Sequence, residues 1–452
     1  MSLVLILLGV IIFIVIATSK LKLHPFLTLL LASFIGAFAF GLPAKDIAKT
    51  ISTGFGGILG YIGLVIVLGT IIGTILEKSG AAITMADTVI KLIGKRFPTL
   101  TMSIIGYIVS IPVFCDSGFV ILNSLKQSMA NRMKVSSVAM SVALATGLYA
   151  THTFVPPTPG PIAAAGNLGL ESSLGLVIAV GLLVSAVAAL AGLLWANRFM
   201  QDEPNGEGAE ELVQQAEAFD KMKASYGKLP SATASFAPIF VPILLICLGS
   251  IANFPAKPFG VDGFYSVLNF LGQPLNALVV GLALSLLLLK PENRLKEFSN
   301  RISDGLLAAA PILLITGAGG AFGAVIKATP IGQYLGATLS ALGIGIFMPF
   351  IVAAALKSAQ GSSTVALVTT SAMVAPMLGD IGLGSEMGHV LTVMAIGAGA
   401  MTVSHANDSF FWVVTQFSRM SVAQAYRAQT MATAIQGIVT IVFVWFLSLI
   451  LL

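Results

Sequence analysis

The sequence predicts an all-α polytopic membrane protein made of two inverted repeats, each with a re-entrant hairpin and a broken transmembrane helix. Three observations carry this prediction. Of 452 residues, 56% are hydrophobic and only 10% charged, and the mean hydropathy is +0.96, a balance that no ordinary soluble domain of this length shows. Apolar stretches too short to span alternate with polar or proline-rich interruptions, which are tolerated at membrane depth only where protein or a water-filled cavity satisfies the backbone. The same order of segments then occurs twice, about 250 residues apart. Other classes fall away on composition. Cys115 and Cys247 both sit in apolar surroundings, so neither a disulfide framework nor a metal-ligand cluster is expected. The net charge of +5 comes from loops and reports orientation; neither nucleic acid nor a cofactor is implied.

The first segment, Leu3 to Thr18, lacks a preceding basic residue and a small-x-small cleavage site, so it is expected to stay as a helix rather than leave as a signal peptide. Helices are expected over Pro25 to Leu42 and Gly56 to Leu76, with a mildly amphipathic lead-in from Ala44 and an amphipathic surface stretch over Ala81 to Gly94. Between the basic clusters at Lys95–Arg96 and at Lys126, Arg132 and Lys134, the apolar run Pro98 to Leu125 is interrupted at 111–118. Basic residues favour the cytoplasmic side at both ends, so this segment enters and returns as a first hairpin, with Asp116, Ser117 and Gly118 at its tip. Val135 to Thr153 is stopped by Pro156-Pro157-Thr158-Pro159-Gly160-Pro161, which no continuous helix accommodates. Ile162 to Leu170 completes that crossing, and Leu174 to Asn197 returns.

Residues 1–200 thus form a first repeat, 201–230 a polar cytoplasmic linker with a short helix near Ala209 to Lys223, and 231–452 a second repeat. Its segments are Ser235 to Ile251, Tyr265 to Leu289, a basic stretch Pro291 to Arg301, Gly305 to Lys327, and a weakly amphipathic Ile331 to Leu342. A second hairpin follows, with two apolar flanks of about 12 residues where a span needs ~20, meeting at Leu356-Lys-Ser-Ala-Gln-Gly-Ser-Ser-Thr-Val365. His389 to Val403 opens a second broken helix, interrupted at Ser404-His-Ala-Asn-Asp-Ser409 and resumed over Phe410 to Phe417; Thr430 to Leu451 closes the chain. Five crossings in the first half place the linker opposite the N-terminus, which is expected outside. All but about five of the 24 lysines and arginines then fall in cytoplasmic segments.

Paired hairpins and paired broken helices bring half-helix ends together from four directions. Their N-termini suit a small anion. Lys357, Gln360, Gly361, Ser362, Ser363 and Thr364 at the second tip, Ser117 and Gly118 at the first, and Thr158 and Asn407 in the breaks are the candidate substrate-binding residues. Lys357 is expected to meet a substrate carboxylate or a tip carbonyl. Asp116 and Asp408 lie in apolar surroundings, where an ionised carboxylate is costly unless compensated, and no fixed cation is expected beside them. Each is a candidate for ion coupling or for capping a helix. His152 and His405, at matched positions in the two halves, are the alternative proton carriers.

The run Pro156-Pro-x-Pro-Gly-Pro161 with Ala163-Ala-Ala-Gly166, Gly317-Ala-Gly-Gly-Ala-Phe322, Ala359-Gln-Gly-Ser-Ser-Thr-Val365 and Asn407-Asp-Ser409 before Phe411-Trp412 resembles the gluconate permease family of bacterial gluconate:proton symporters over nearly the whole chain. The resemblance implies inner-membrane import of a sugar acid with protons, by a dimer working as an elevator within the ion-transporter superfamily. Thr158, Cys115, Ser117 and Gly118 depart from the residues common in that family, which leaves shorter hydroxy acids such as glycerate, or other aldonates, open. Sodium-coupled carboxylate symport is the alternative. An enzyme is not expected: the chain has no Gly-x-Ser-x-Gly nucleophile elbow and no His-Glu metal-binding pair. A channel would need a continuous polar path rather than paired gated tips.

Overall fold

The computed structural model describes residues 2–452 apart from Lys20, Lys22, Lys95, 207–225, 254–257, Val261, Lys290, 330–344 and Asn407. All regular structure among these residues is helical. Helices α1 (Ser2–Ser19), α2 (Pro25–Ala39) and α3 (Ala44–Lys78) lead to α4 (Ala81–Ile93) and a hairpin of α5 (Pro98–Val109) and α6 (Cys115–Met133). A broken pair follows, α7 (Ser137–Phe154) and α8 (Pro159–Asn167), then α9 (Leu174–Ala196). The second half holds α10 (Ala232–Ala252), α11 (Phe264–Leu271), α12 (Pro274–Ser285) and α13 (Arg294–Lys327). Its hairpin is α14 (Phe347–Gln360) and α15 (Ser363–Val374), and its broken pair is α16 (Glu386–Met401) and α17 (Ser409–Phe417). A π-helical turn at Tyr426–Thr430 opens the last helix, α18 (Met431–Leu451).

Among the described residues, five helices, or seven if bent pairs are counted, are long and apolar enough to cross a membrane. The α7–α8 pair passes that test as one span of 31 residues whose most apolar window is wholly buried; it is therefore the centre of the protein rather than a lipid-facing wall. The breaks stay local because the restarting helices satisfy their own ends. Pro159 occupies the first turn of α8, where its missing N–H costs nothing. Ser362 and Asp408 cap α15 and α17 through their side chains.

Two groups of helices result. α2, α3, α10, α12 and α13 pack among themselves, while α5 to α9 pack with one another and α14 to α18 join them where α18 meets α9, α15 meets α8, α16 meets α7 and α17 meets α6. The long helices α3 and α13 make the most extensive contact of the fold. Small residues allow it: a Cβ on Gly54 would lie 2.5 Å from Ala324 Cβ, and one on Gly320 would lie 2.8 Å from the Gly54 carbonyl.

Three expected boundaries change. The lead-in from Ala44 is continuous with the next helix as α3, and the basic stretch after Pro291 continues into α13, which is uninterrupted even at Pro311. Tyr265 to Leu289, expected as one helix, is bent by 77° between α11 and α12. Here Gly272 packs so tightly on α10 that a Cβ would lie 2.5 Å from Gly249 Cα, and Pro274 starts the next helix. The short helices expected near 209–223 and 331–342 lie outside the described residues.

Candidate functional site

Both hairpin tips and both breaks converge on one buried cluster. α14 ends at Gly361, whose φ of 92° favours glycine, and this turn folds the Lys357 ammonium back onto the Gly361 carbonyl. Lys357 is fully buried, with Nζ 2.6 Å from Asp408 Oδ2. Asp408 also accepts the Ser404 hydroxyl at Oδ2 and the Phe410 N–H, 3.1 Å away, at Oδ1. Its carboxylate is thus surrounded by a cation, a hydroxyl, an amide and a helix N-terminus, every one of them complementary to negative charge. Ser404 is itself clamped to the last helical segment, its carbonyl accepting from Thr430 and its N–H donating to Thr433.

α7 supplies the floor. The Tyr149 ring centroid lies 5.9 Å from Lys357 Nζ, close enough for a cation–π contact, and its phenol is hydrogen-bonded to Ser363 at the second tip. Tyr149 stacks on His152 at 6.3 Å and tilts against Phe410 at 5.1 Å. His152, buried between Tyr149 and Phe114, has no hydrogen-bond partner at Nδ1 among the described residues.

Asp116 is half-buried in the first turn of α6. The Ser409 hydroxyl donates to its Oδ2 at 3.2 Å, whereas Oδ1 is buried with no partner among the described residues. Its neighbour Ser117 is bonded instead to Glu77 of α3, four residues beyond Gly73. That glycine faces the same hairpin so closely that a Cβ would lie 2.4 Å from the Pro112 carbonyl.

The remaining candidates divide. Ser362 accepts the Val365 N–H. His405 lies with Nε2 2.9 Å from the Ser358 carbonyl. Gln360 is the last residue of α14, and Thr364 sits in the first turn of α15 across from Gly160. Thr158 commits its hydroxyl to the Val155 carbonyl at 2.6 Å, and Gly118 serves packing, since a Cβ there would meet Leu148 at 2.7 Å. Asn407 lies outside the described residues.

Two expectations need correction. A fixed cation does stand beside Asp408, because the tertiary fold brings the last turn of α14 onto the break of the second broken helix. Lys126, expected in a basic cluster at the cytoplasmic end of the first hairpin, is fully buried and donates to Ser141 at 2.8 Å and Ser418 at 3.5 Å, because α6 lies between α7 and α17. Sequence reasoning missed Tyr149, Ser404 and Glu77. Tyr149 had a usable signal, since it lies three residues before His152 on a helix and so shares its face.

This architecture is that of a multi-pass membrane protein, and the family it matches consists of permeases rather than enzymes. The chain belongs to the GntP permease family, whose pattern matches residues 1–450, and it is a bacterial inner-membrane protein. It is 33% identical over 445 residues to a gluconate permease of Pseudomonas aeruginosa, covering 97% of this chain and 95% of that one. It is also 33% identical over 444 residues to the D-serine transporter DsdX of Escherichia coli K12, covering 98% and 97%. The solved YdaH transporter of Alcanivorax borkumensis shares the fold, with a TM-score of 0.56 over 89% of this chain and 88% of that one at 14% identity.

Proposed function

We propose that this permease imports a sugar acid or small hydroxy acid together with a proton. The observation that carries the reading is the junction itself, where a buried ammonium, two carboxylates and the hydroxyls of the α15 start meet at four half-helix ends. Such a junction complements a carboxylate beside a hydroxyl-bearing carbon. Gluconate, named for one relative, presents a carboxylate beside a hydroxyl-bearing carbon, and D-serine, named for another, a carboxylate with one hydroxyl a carbon further away; a carboxylate with a nearby hydroxyl is what the two share. Selection among acids falls to the groups around Ser362, Ser363 and Thr364.

The proposal includes an inverted arrangement of the two halves, with the N-terminus periplasmic, 201–230 cytoplasmic, and the hairpins and broken helices moving as a unit past α3 and α13 within a homodimer. Smooth surfaces support such motion. Gly69 and Gly73 of α3 face Pro157 and Pro112, and Gly319 and Gly323 of α13 face Val368 and Ala372. Open cavities of about 520 Å³ and 790 Å³ lie between these helices and the ends of α8 and α15, and between α8 and α10. Purified protein challenged with gluconate, glycerate and D-serine should be stabilised against thermal unfolding by at least one hydroxylated carboxylate; indifference to all of them and to other aldonates rejects the substrate class. A cysteine at Glu207 should resist an impermeant thiol reagent in intact cells, and labelling there rejects the orientation.

A further inference from the structure

The two aspartates look equivalent in sequence, each at the start of a half-helix beside a serine. Their surroundings differ. Asp408 has both oxygens occupied, by Lys357, Ser404 and the Phe410 N–H, so protonating it would leave a buried lysine without its counter-charge. Among the described residues, Asp116 has one hydroxyl donor, Ser409, and a buried oxygen with no partner. A proton on that oxygen would remove an uncompensated charge rather than break a pair.

The titratable and charged groups around Asp116 fit this contrast. Cys115 precedes it on α6, and Glu77 of α3 is reached through Ser117. α7 brings Tyr149 and His152, the break of the second broken helix brings His405 and Asp408, and α14 brings Lys357. Among these described neighbours the one cation, Lys357, already lies at 2.6 Å from Asp408 and on the Gly361 carbonyl.

We propose that Asp116 alone carries the coupled proton, while Asp408 is the fixed counter-ion that holds Lys357 in place for the substrate carboxylate. This rests on the proton-symport reading above. An ammonium has three N–H donors; two are used, and the third is left for the substrate. A substrate carboxylate arriving there brings a second negative charge toward Asp116, and mutual repulsion is relieved when a proton enters with it. The proton binds the open Asp116 oxygen from outside and leaves it to the cytoplasm with the substrate, one proton for each carboxylate.

The test uses full-length protein in liposomes with gluconate, or whichever acid stabilises the protein, and reads both internal acidification and counterflow. Asp116→Asn should lose substrate-linked acidification while counterflow continues, slower by at most about tenfold and flat between pH 5.5 and 8. Asp408→Asn should lose both activities, and Lys357→Met/Asp408→Asn should fold, by its thermal unfolding, yet bind no substrate. Where Asp116→Asn does neither, Ser409→Ala decides: it should move the pH of half-maximal acidification, and an unmoved profile overturns the assignment. Acidification persisting in Asp116→Asn, or counterflow without acidification in Asp408→Asn, overturns the assignment while leaving symport intact. No acidification by the wild type overturns symport and assignment together.

Discussion

The α3–α13 crossing and the Lys357–Asp408 junction are both buried contacts between the two halves of the sequence or between distant segments of it, yet they are held by opposite means. At the crossing, Gly54 and Gly320 bring two backbones together with no charge between them, and such contacts rest on many weak dispersion terms. At the junction, an ammonium and a carboxylate 2.6 Å apart depend on single partners. A shape-packed surface can be re-formed at another register, whereas a buried ion pair has discrete states. The same glycine packing recurs where Gly69, Gly73, Gly319 and Gly323 face Pro157, Pro112, Val368 and Ala372, and that surface suits a track, whereas the junction suits a switch.

This contrast can be broken at the junction first. Lys357→Met leaves Asp408 buried without its cation and should cost about 3–5 kcal/mol of stability, with uptake abolished. The double variant with Asp408→Asn should recover most of that stability, and a melting temperature as low as the single variant's would show that the pair is not the principal partner. On the track, Gly73→Val meets the Pro112 carbonyl where even a Cβ would lie 2.4 Å away, and overpacking of this kind costs about 1–3 kcal/mol. Substrate binding should survive while uptake falls; equal losses of both would mean that α3 is part of the site rather than a surface it moves along.

Smaller effects sharpen the boundary of the site. Replacing Ser362 and Ser363 together by alanine removes the α15 cap and the bond to Tyr149, and affinity should fall about tenfold with the protein still folded. Unchanged affinity would place the substrate elsewhere. Thr158→Val should change affinity least, because its hydroxyl is already given to the Val155 carbonyl; its loss should appear as about 0.5–1.5 kcal/mol of stability.

Both breaks were legible because proline-rich and polar runs cannot continue an apolar helix, and the hairpins because their flanks are too short to span. The capping half of the Asp408 reading was legible for the same local reason. Partnership was not: Lys357 and Asp408 are brought together only by the packing of α14 against the second break. Depth was also hidden at Lys126, since sequence shows a basic residue near others but not that α7 and α17 enclose it. Glu77 escaped notice at the end of a helix, where a carboxylate ordinarily faces water; its meaning depends on the hairpin that Gly73 allows to approach.

The central claim is that a proton accompanies a hydroxylated carboxylate through this junction, and driving-force selection in proteoliposomes tests it most directly. With sodium absent, an outside-acid pH gradient should drive accumulation of the substrate acid and collapse when a protonophore is added. Accumulation that follows a sodium gradient at fixed pH, and that ignores the proton gradient, would contradict the account.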